Sequence, residues 1–473
     1  MNNRLVLLVV ACMPGLSIAS NTANHSDPAT AVIFWITLIF MFGLIGRYIA
    51  MKLKQPAVLG ELLMGLLLGN VCYFLGIQLV VILREGPIIY NIVRDILAGL
   101  PLAQAIDLNM VNTVYAKGIY DALSTKNAIE LIKVTYVVDM FSRYGVIFLL
   151  FMVGLDSSVA QLRRTGRQST QVAVIGVLAP LGLGLLVMHY LLPTSPLHTN
   201  LFVAATLTAT SVGITARVLK EMMKLQTPEA QTILGAAILD DVLALLLLAI
   251  VSNIVLENSI NLMQISCIIM LALLFLGGAL AFGPWAIKRA VKLCSFFPLW
   301  ESKLIVAFIL TMFLSWLASL VQLASIIGAF IAGIILNDDF FKREDELKKR
   351  LTIKHLVAPF EAVFAPLFFM LVGMQVKLEM FMDWHVLLLA FSLLAVAIVG
   401  KLASGLGGKC SDDRLLIGVG MLPRGEVGLV FASIGITLGV ISQQIFSAIV
   451  LMVTMTTIIS PLWLKQRYRK KEC

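Results

Sequence analysis

The sequence predicts an all-α polytopic membrane protein with about thirteen transmembrane helices, arranged as an inverted repeat with two crossed, broken helices. Three observations lead to this prediction: the composition, the spacing of the apolar segments, and a pattern shared by the two halves of the chain. Of the 473 residues, 59% are hydrophobic and only 13% are charged. Soluble domains are roughly half apolar and a quarter charged, so the composition excludes a soluble globule.

Thirteen apolar segments have about the length that crosses a bilayer, which is about 20 residues for a helix. Together they define a transmembrane domain over 31–465. The segments lie near 31–50, 56–82, 141–160, 170–192, 199–219, 229–256, 262–286, 303–321, 323–338, 356–376, 384–406, 412–439 and 443–465.

The basic residues indicate how these segments are oriented. Most of the 36 Lys and Arg residues lie in loops at one end of the segments, including Lys342 to Lys354 and the tail from Lys465 to Lys471. Cytoplasmic loops carry such an excess, so this end is predicted to be cytoplasmic. The protein is therefore expected in a bacterial-type inner membrane, with a cytoplasmic tail at 466–473. Because the charges form no continuous stripe, no nucleic-acid partner is expected.

Two regions are predicted to lie outside the spanning segments. Residues 1–19 combine Arg4, a short apolar run and the small residues Ser17 and Ala19, the pattern of a cleavable signal peptide. An additional, uncleaved helix is the alternative. Residues 83–140 carry mixed charges and helix breakers, and they are predicted to form an extracytoplasmic insert of short amphipathic helices. No chemistry is assigned to this insert.

A repeated pattern relates the two halves of the chain. Residues 58–68 resemble residues 326–336, and residues 149–154 resemble residues 368–373. The two offsets differ by about the length of the insert, so removing the insert would bring both halves into one frame. The second and ninth segments run in opposite directions, so the halves have inverted topology, which is typical of secondary transporters. Chance similarity between helices rich in Leu and Gly is the alternative for each match alone.

Two adjacent carboxylates, Asp240 and Asp241, lie within the sixth segment. At about 1.5 Å per residue they are roughly 17 Å along the helix, near the bilayer midplane. An ionised Asp at that depth costs about 2.5–3.5 kcal/mol, and two together repel each other. Each must therefore find a partner or hold a proton, which is the behaviour that cation/proton exchange requires. Hydrogen bonding between packed helices is the structural alternative.

The fifth and twelfth segments are each predicted to break in the middle. The fifth has a polar centre with β-branched residues, ending at Gly213. In the twelfth, Pro423 removes a backbone donor and Gly425 loosens the next turn. Breaks at matching places expose backbone carbonyls and half-helix dipoles to a midplane site. The residues assigned to this crossing are Thr208, Thr210, Ser211, Pro423, Arg424, Gly425 and Glu426.

A single cation, Lys401, lies inside the eleventh segment and needs a counter-ion. Asp240 and Asp241 are the candidates, and a midspan Lys–Asp pair that can break would also be able to carry a proton. The alternative is that Lys401 extends to the cytoplasmic edge. Arg424 and Glu426 are expected to satisfy the half-helix dipoles and each other rather than bind the ion.

Other titratable residues are given no transport role. Glu61, Asp156 and Glu361 fall near cytoplasmic helix ends, which favours a structural or surface role. No His lies at midspan and no Walker A motif occurs, so neither a His relay nor ATP-driven transport is predicted, and no cofactor is expected.

These motifs together resemble the monovalent cation:proton antiporter-2 family, which has the sodium/proton antiporter fold. The similarity covers roughly 30–465 apart from the insert. The Asp240-Asp241 form resembles the electrogenic sodium/proton branch of the family rather than the Kef-type potassium efflux branch. The stretches that carry the resemblance are Gln55–Glu61, Thr208–Gly213, Leu239–Asp241, Gly328–Gly333, Phe368–Gly373, Lys401 and Pro423–Glu426.

The resemblance implies a secondary antiporter that exchanges a monovalent cation, Na⁺ or alternatively K⁺ or Li⁺, for protons in cation and pH homeostasis. It implies a homodimer in which each protomer has a dimerisation domain and a core domain that moves past it. It also implies that Asp241 carries the ion, that Asp240 pairs with Lys401, and that Thr208 to Ser211 contribute to the crossing. A sodium-coupled organic-anion symporter and a non-transporting sensor on the same fold are the alternatives.

Overall fold

The computed structural model describes most of the chain from residue 28 to residue 472. Asp156, Gly425, Glu426 and the predicted signal peptide at 1–19 lie outside the described residues. Within 28–472, the positions that are not described are 54, 87, 111–112, 126, 156–158, 194, 258–261, 295, 322, 324, 342–350, 380–383, 410–412, 425–427, 429–430, 433–434 and 436–437.

The described chain is helical and contains no strand. Its α-helices are α1 (Pro28–Lys52), α2 (Ala57–Phe74), α3 (Gln78–Arg84), α4 (Ile88–Leu97), α5 (Leu102–Asn109), α6 (Thr113–Leu123), α7 (Ala128–Leu155), α8 (Val159–Leu191), α9 (Leu197–Thr206), α10 (Val212–Glu221), α11 (Pro228–Glu257), α12 (Leu262–Leu293), α13 (Leu299–Leu320), α14 (Ser325–Ile335), α15 (Ile353–Met374), α16 (Trp384–Ser404), α17 (Arg414–Gly420) and α18 (Gln443–Glu472).

Eight of the described helices are long and apolar enough to cross a membrane: α1, α2, α7, α8, α13, α15, α16 and α18. Every one of the thirteen predicted segments contains helix. The second segment is divided into α2 and α3 by a turn at Gly76, whose φ of 72° favours glycine.

Helix α7 begins at Ala128, well before the predicted start at 141. Residues 128–140, which the sequence assigned to the insert, therefore form the first turns of a spanning helix. Lys133 and Asp139 interrupt the apolar run here, but Val134 and Val138 face the interior and are 1% exposed. A helix needs only one apolar face to pack, so a continuous apolar run underestimates its length.

The long helices form two groups. Helices α1, α2, α7, α13, α14 and α15 pack on one another, and we call them the scaffold group. Helices α8, α9, α11, α16, α17 and α18 pack on one another, and we call them the core group. Helix α12 connects the two, and α10 lies at their boundary, where it contacts α2 and α7 on one side and α11 and α18 on the other.

Two glycine contacts in the scaffold group display the repeat. A Cβ at Gly65 or at Gly373 would overlap the backbone of the other helix, so α2 and α15 touch there. A Cβ at Gly154 or at Gly333 would do the same between α7 and α14. Because the repeat equates Gly65 with Gly333 and Gly154 with Gly373, these are the same contact in the two halves. The packing therefore agrees with an inverted repeat.

Ion pairs and a cation–π contact hold the short helices α3 and α6 against the chain that follows α15. Nη2 of Arg84, at the end of α3, lies 2.9 Å from Oε2 of Glu379, which follows α15. The neighbouring Glu85 accepts hydrogen bonds of 2.7 and 2.8 Å from Lys377, whose ammonium also lies 3.9 Å from the centre of the Tyr115 ring on α6. These contacts attach the insert to α15.

Candidate functional site

Lys401 on α16 and Asp240 on α11 form a fully buried ion pair. Both side chains are 0% exposed, and the Lys401 Nζ lies 3.0 and 3.2 Å from the two carboxylate oxygens. Helices α11 and α16 both pack against α8, where the missing side chain of Gly176 leaves space beside the ammonium. Removing one partner of such a pair costs about 3–5 kcal/mol, because the other charge stays buried without compensation.

Asp241 follows on the same helix and is 3% exposed. Successive side chains on a helix point roughly 100° apart, so Asp241 faces different surroundings from Asp240. Its charge and that of Arg424 also act on Lys401. The four groups Asp240, Asp241, Lys401 and Arg424 therefore belong to one electrostatic site inside the core group.

The first helix break lies between α9, which ends at Thr206, and α10, which begins at Val212. The hydroxyl groups of Thr206 and Thr208 donate to carbonyls of the last turn of α9, at 2.6 and 2.8 Å. The Ala205 carbonyl, which accepts from the Thr208 hydroxyl, also accepts from the Thr208 backbone N–H at 3.1 Å. Thr208 thus turns back onto its own helix.

The second break follows α17 and crosses the first. Residues 421–424 are not helical, and the chain is helical again at Gly428. The backbone N–H of Ser211 donates to the carbonyl of Pro423 at 2.8 Å, and the Thr210 hydroxyl donates to the carbonyl of Met421 at 3.2 Å. These hydrogen bonds join the two breaks to each other.

Arg424 extends the crossing toward the carboxylates. Its side chain is 0% exposed, its Nη1 donates to the carbonyl of Ala209, and its charge interacts with that of Asp240. Among the described residues, its Nε and Nη2 have no hydrogen-bond partner. The bond to Ala209 is of the kind expected for a cation that satisfies a half-helix dipole.

Comparison with known proteins identifies the family. The profile of the family described as sodium/hydrogen exchanger, transmembrane, matches residues 36–468. The chain belongs to the sodium/hydrogen exchanger family. It is therefore a cation/proton antiporter, a secondary transporter rather than an enzyme.

Individual relatives of this exchanger agree with that assignment. It is 33% identical to the high-affinity Na⁺/H⁺ antiporter NhaS3 of Synechocystis, over 97% of this chain and 95% of the relative. It is 31% identical to the Na⁺/H⁺-K⁺ antiporter GerN of Bacillus cereus, over 70% and 83% of the two chains. The fold matches the sodium proton antiporter MjNhaP1 from Methanocaldococcus jannaschii with a TM-score of 0.56 at 18% identity, over 92% and 95% of the chains.

Polar side chains that the sequence reading missed support the crossing of this exchanger. Thr215 donates to the carbonyl of Gly420 at 2.8 Å, Thr457 donates to the carbonyl of Arg424, and Ser460 donates to the carbonyl of Val419 at 3.3 Å. Thr457 and Ser460 lie in α18, whose otherwise apolar sequence carries several hydroxyl residues here. Their position as polar residues in the middle of an apolar span was the sequence signal that could have identified them.

Arg217 has buried partners that the sequence did not predict. The sequence places it near the cytoplasmic end of the fifth segment, in a basic group with Lys220 and Lys224, and the structure places it within α10 with a side chain that is only 5% exposed. It contacts Glu61 and Glu361, which were expected to have structural or surface roles. The exchanger therefore contains a second buried charged cluster, apart from the Asp240–Lys401 pair.

Proposed function

We propose that this exchanger moves Na⁺ against protons electrogenically and that Asp241 binds the cation. The observation that carries the proposal is the buried pair between Lys401 and Asp240 with Asp241 as its neighbour on α11. The intact pair neutralises Asp240, so we assign the cation to Asp241. Two carboxylates in different surroundings can hold different occupants, which is what exchange at one site requires.

Competition between cation and proton supplies the coupling. Protonated Asp241 carries no charge across the membrane, and a bound cation takes the place of that proton. We propose that cation binding also breaks the Lys401–Asp240 pair and that Lys401 then releases its own proton. Each cycle would move two protons against one monovalent cation, so one net charge would cross. The crossing residues, including Thr210 and Ser211, would hold the broken helices in place during this exchange.

The same residues support a proposal for the type of antiporter, its assembly and its transported ion. We place the exchanger in the Asp-Asp type of the monovalent cation:proton antiporter-2 family, as a homodimer in a bacterial-type inner membrane. The name of the GerN relative includes K⁺, which makes K⁺ the first alternative to Na⁺, followed by Li⁺. Carboxylates alone do not select among these ions, because selectivity depends on the geometry of all the coordinating oxygens.

A proteoliposome assay with a panel of cations tests this function. We expect Na⁺ added to vesicles with an imposed pH gradient to drive proton flux at lower concentrations than K⁺ or Li⁺ does. If none of these ions drives proton flux, the result would contradict the proposal and favour a sensor. Substrate-dependent Na⁺ uptake without a proton requirement would favour an organic-anion symporter.

The orientation can be measured separately. Single cysteines replace Asn127, at the start of α7, and Arg469, near the end of α18, in a variant without native cysteines. An impermeant thiol reagent added to intact cells is expected to label the cysteine at 127 and to spare that at 469, because the basic end faces the cytoplasm. Equal labelling, or the reverse pattern, would overturn the proposed cytoplasmic C-terminus.

A further inference from the structure

The second charged cluster joins α10 to the scaffold group. Arg217 on α10 donates from Nη1 to Glu361 on α15 at 3.3 Å, and its Nη2 lies 3.8 Å from Oε1 of Glu61 on α2. Lys220, one turn further along α10, also donates to Glu361. Glu221 accepts a 2.6 Å hydrogen bond from the backbone N–H of Ala57, the first residue of α2. Each of these contacts joins the scaffold group to α10, which on its other side contacts α11 and α18 of the core group.

These contacts are largely shielded from solvent. The side chains of Glu61, Arg217 and Glu361 are 0%, 5% and 8% exposed. Charge pairs in such surroundings are screened much less than surface pairs, and losing one partner leaves the other uncompensated. Any movement of α10 along the scaffold group would have to separate Arg217 from Glu361.

A cavity also lies at this boundary, between α2, α15 and α18. Its lining extends from Leu62 in α2 to Val376 beyond the end of α15, and it includes Thr457, whose hydroxyl donates to the Arg424 carbonyl. The boundary is thus held by charges at the end where α2 begins and holds a cavity toward the other end.

Glu61 is the member of the cluster that can change charge at least structural cost. Among the described residues, neither of its carboxylate oxygens has a hydrogen-bond partner. A proton can therefore be added to Glu61 without the loss of a hydrogen bond. The charged groups that act on it are Arg47 on α1, Arg217 and Glu221 on α10, and Glu361 on α15. A further cation near this end of α2 is Lys465 on α18, whose Nζ donates to Oε1 of Gln55 at 3.4 Å just before α2 begins.

We propose that Glu61, Arg217 and Glu361 form a proton-sensitive latch that holds the core group against the scaffold group at this end. When Glu61 is ionised, two carboxylates attract Arg217 and the latch is strong. When Glu61 is protonated, Arg217 keeps its ion pairs with Glu361 on the scaffold group and with Glu221 on its own helix, but it loses the attraction of the Glu61 charge, so the latch is weaker. The latch therefore tightens as the pH rises. This inference rests on the proposed exchange and on the movement of a core domain that the family resemblance implies, but it concerns residues outside the ion site.

Thiol labelling measures the latch without measuring transport. In the full-length chain without native cysteines, a reporter is introduced as Val58→Cys, since Val58 is 0% exposed and lies on the same face of α2 as Glu61. Reagent is supplied from the side where α2 begins. Arg217→Gln is expected to raise the labelling rate about tenfold, within the usual range of coupling between protein states. Glu361→Gln should have a similar effect, and Val218→Cys on α10 serves as a second reporter.

The pH dependence of the labelling rate distinguishes the role of Glu61 from those of Arg217 and Glu361. At each pH, the labelling rate of the Glu61→Gln protein is divided by that of the protein with Glu61 intact and the same reporter cysteine. This ratio removes the effect of pH on the reactivity of the thiol itself. This ratio should be close to one at pH 6 and should rise to about tenfold at pH 8. A ratio that is the same at both pH values would overturn the proton sensitivity.

Arg467→Gln is the matched control, because Arg467 pairs with Asp413 at 2.9 Å at the same end but entirely within the core group. It should leave the labelling rate unchanged. Equal acceleration by Arg467→Gln, or none by Arg217→Gln in protein that elutes as the parent does, would overturn the latch. Failure of the cation panel together with the expected labelling pattern would refute the proposed transport and leave the latch standing.

Discussion

Replacing Asp241 with Asn is expected to abolish cation-driven proton flux. Asn has the same size but neither binds a proton at neutral pH nor supplies a negative charge to a cation. The flux should fall by at least about 100-fold, which corresponds to about 2.7 kcal/mol. A neutral amide is less costly to bury than an ionised carboxylate, so the variant should still fold and insert. The measurement is proton flux into proteoliposomes after a Na⁺ pulse, normalised to the amount of inserted protein.

Asp121→Asn is the matched control, since Asp121 is an exposed carboxylate on α6 in the insert. It should keep full activity under the same conditions. Strong flux from purified Asp241→Asn would remove Asp241 from the mechanism. An inactive Asp121→Asn protein would show that carboxylate loss impairs the preparation in general.

The spans and the two helix breaks were predictable because their physical causes are local. Twenty apolar residues in a row have few other stable locations than a bilayer, and Pro423 and Gly425 together weaken one short stretch of helix. The Asp240-Asp241 pair was also visible, because charge is rare at that depth. That Lys401 needs a partner was deduced from the same cost, and the structure places it against Asp240 rather than at the membrane edge.

Features that depend on contacts between distant segments were not predictable. Arg217 forms a basic group with Lys220 and Lys224 that indicates only the orientation of the segment, and its buried partners on α2 and α15 are revealed by the fold alone. The start of α7 was missed because an amphipathic first half does not form an apolar run. Thr457 gave a weak signal, because one hydroxyl in a span is commonly satisfied by its own helix. Its hydrogen bond to the Arg424 carbonyl in the second break depends on the fold.

Replacing Lys401 with Gln is expected to remove the voltage dependence of exchange. In the unmodified protein, the proposed cycle moves one net charge, and a charge is worth about 2.3 kcal/mol per 100 mV. The reversal point of cation flux should therefore shift when the membrane potential is changed. The measurement is that reversal point in proteoliposomes whose potential is set with K⁺ and valinomycin. A reversal point that ignores voltage in the unmodified protein would refute electrogenic exchange.

Lys401→Gln leaves Asp240 without its cation inside an apolar site. Asp240 should then keep a proton throughout the cycle, because an unpaired ionised carboxylate there costs more than holding a proton. Only Asp241 would exchange its occupant, one proton for one cation, so no net charge would cross. The variant should accordingly be inactive or should transport with a reversal point that does not respond to voltage. Undiminished voltage dependence in Lys401→Gln would remove Lys401 from the mechanism.

The double variant Asp240→Asn, Lys401→Gln distinguishes loss of mechanism from loss of folding. Asp240→Asn alone leaves the Lys401 ammonium buried without its partner, which should cost about 3–5 kcal/mol and lower the yield of folded protein. Removing both charges eliminates that penalty, so the double variant should be recovered in larger amounts than Asp240→Asn. If it also transports without voltage dependence, the pair supplies the extra charge movement and Asp241 supplies the exchange. If the double variant folds and keeps the voltage response, the second proton is carried elsewhere in the protein.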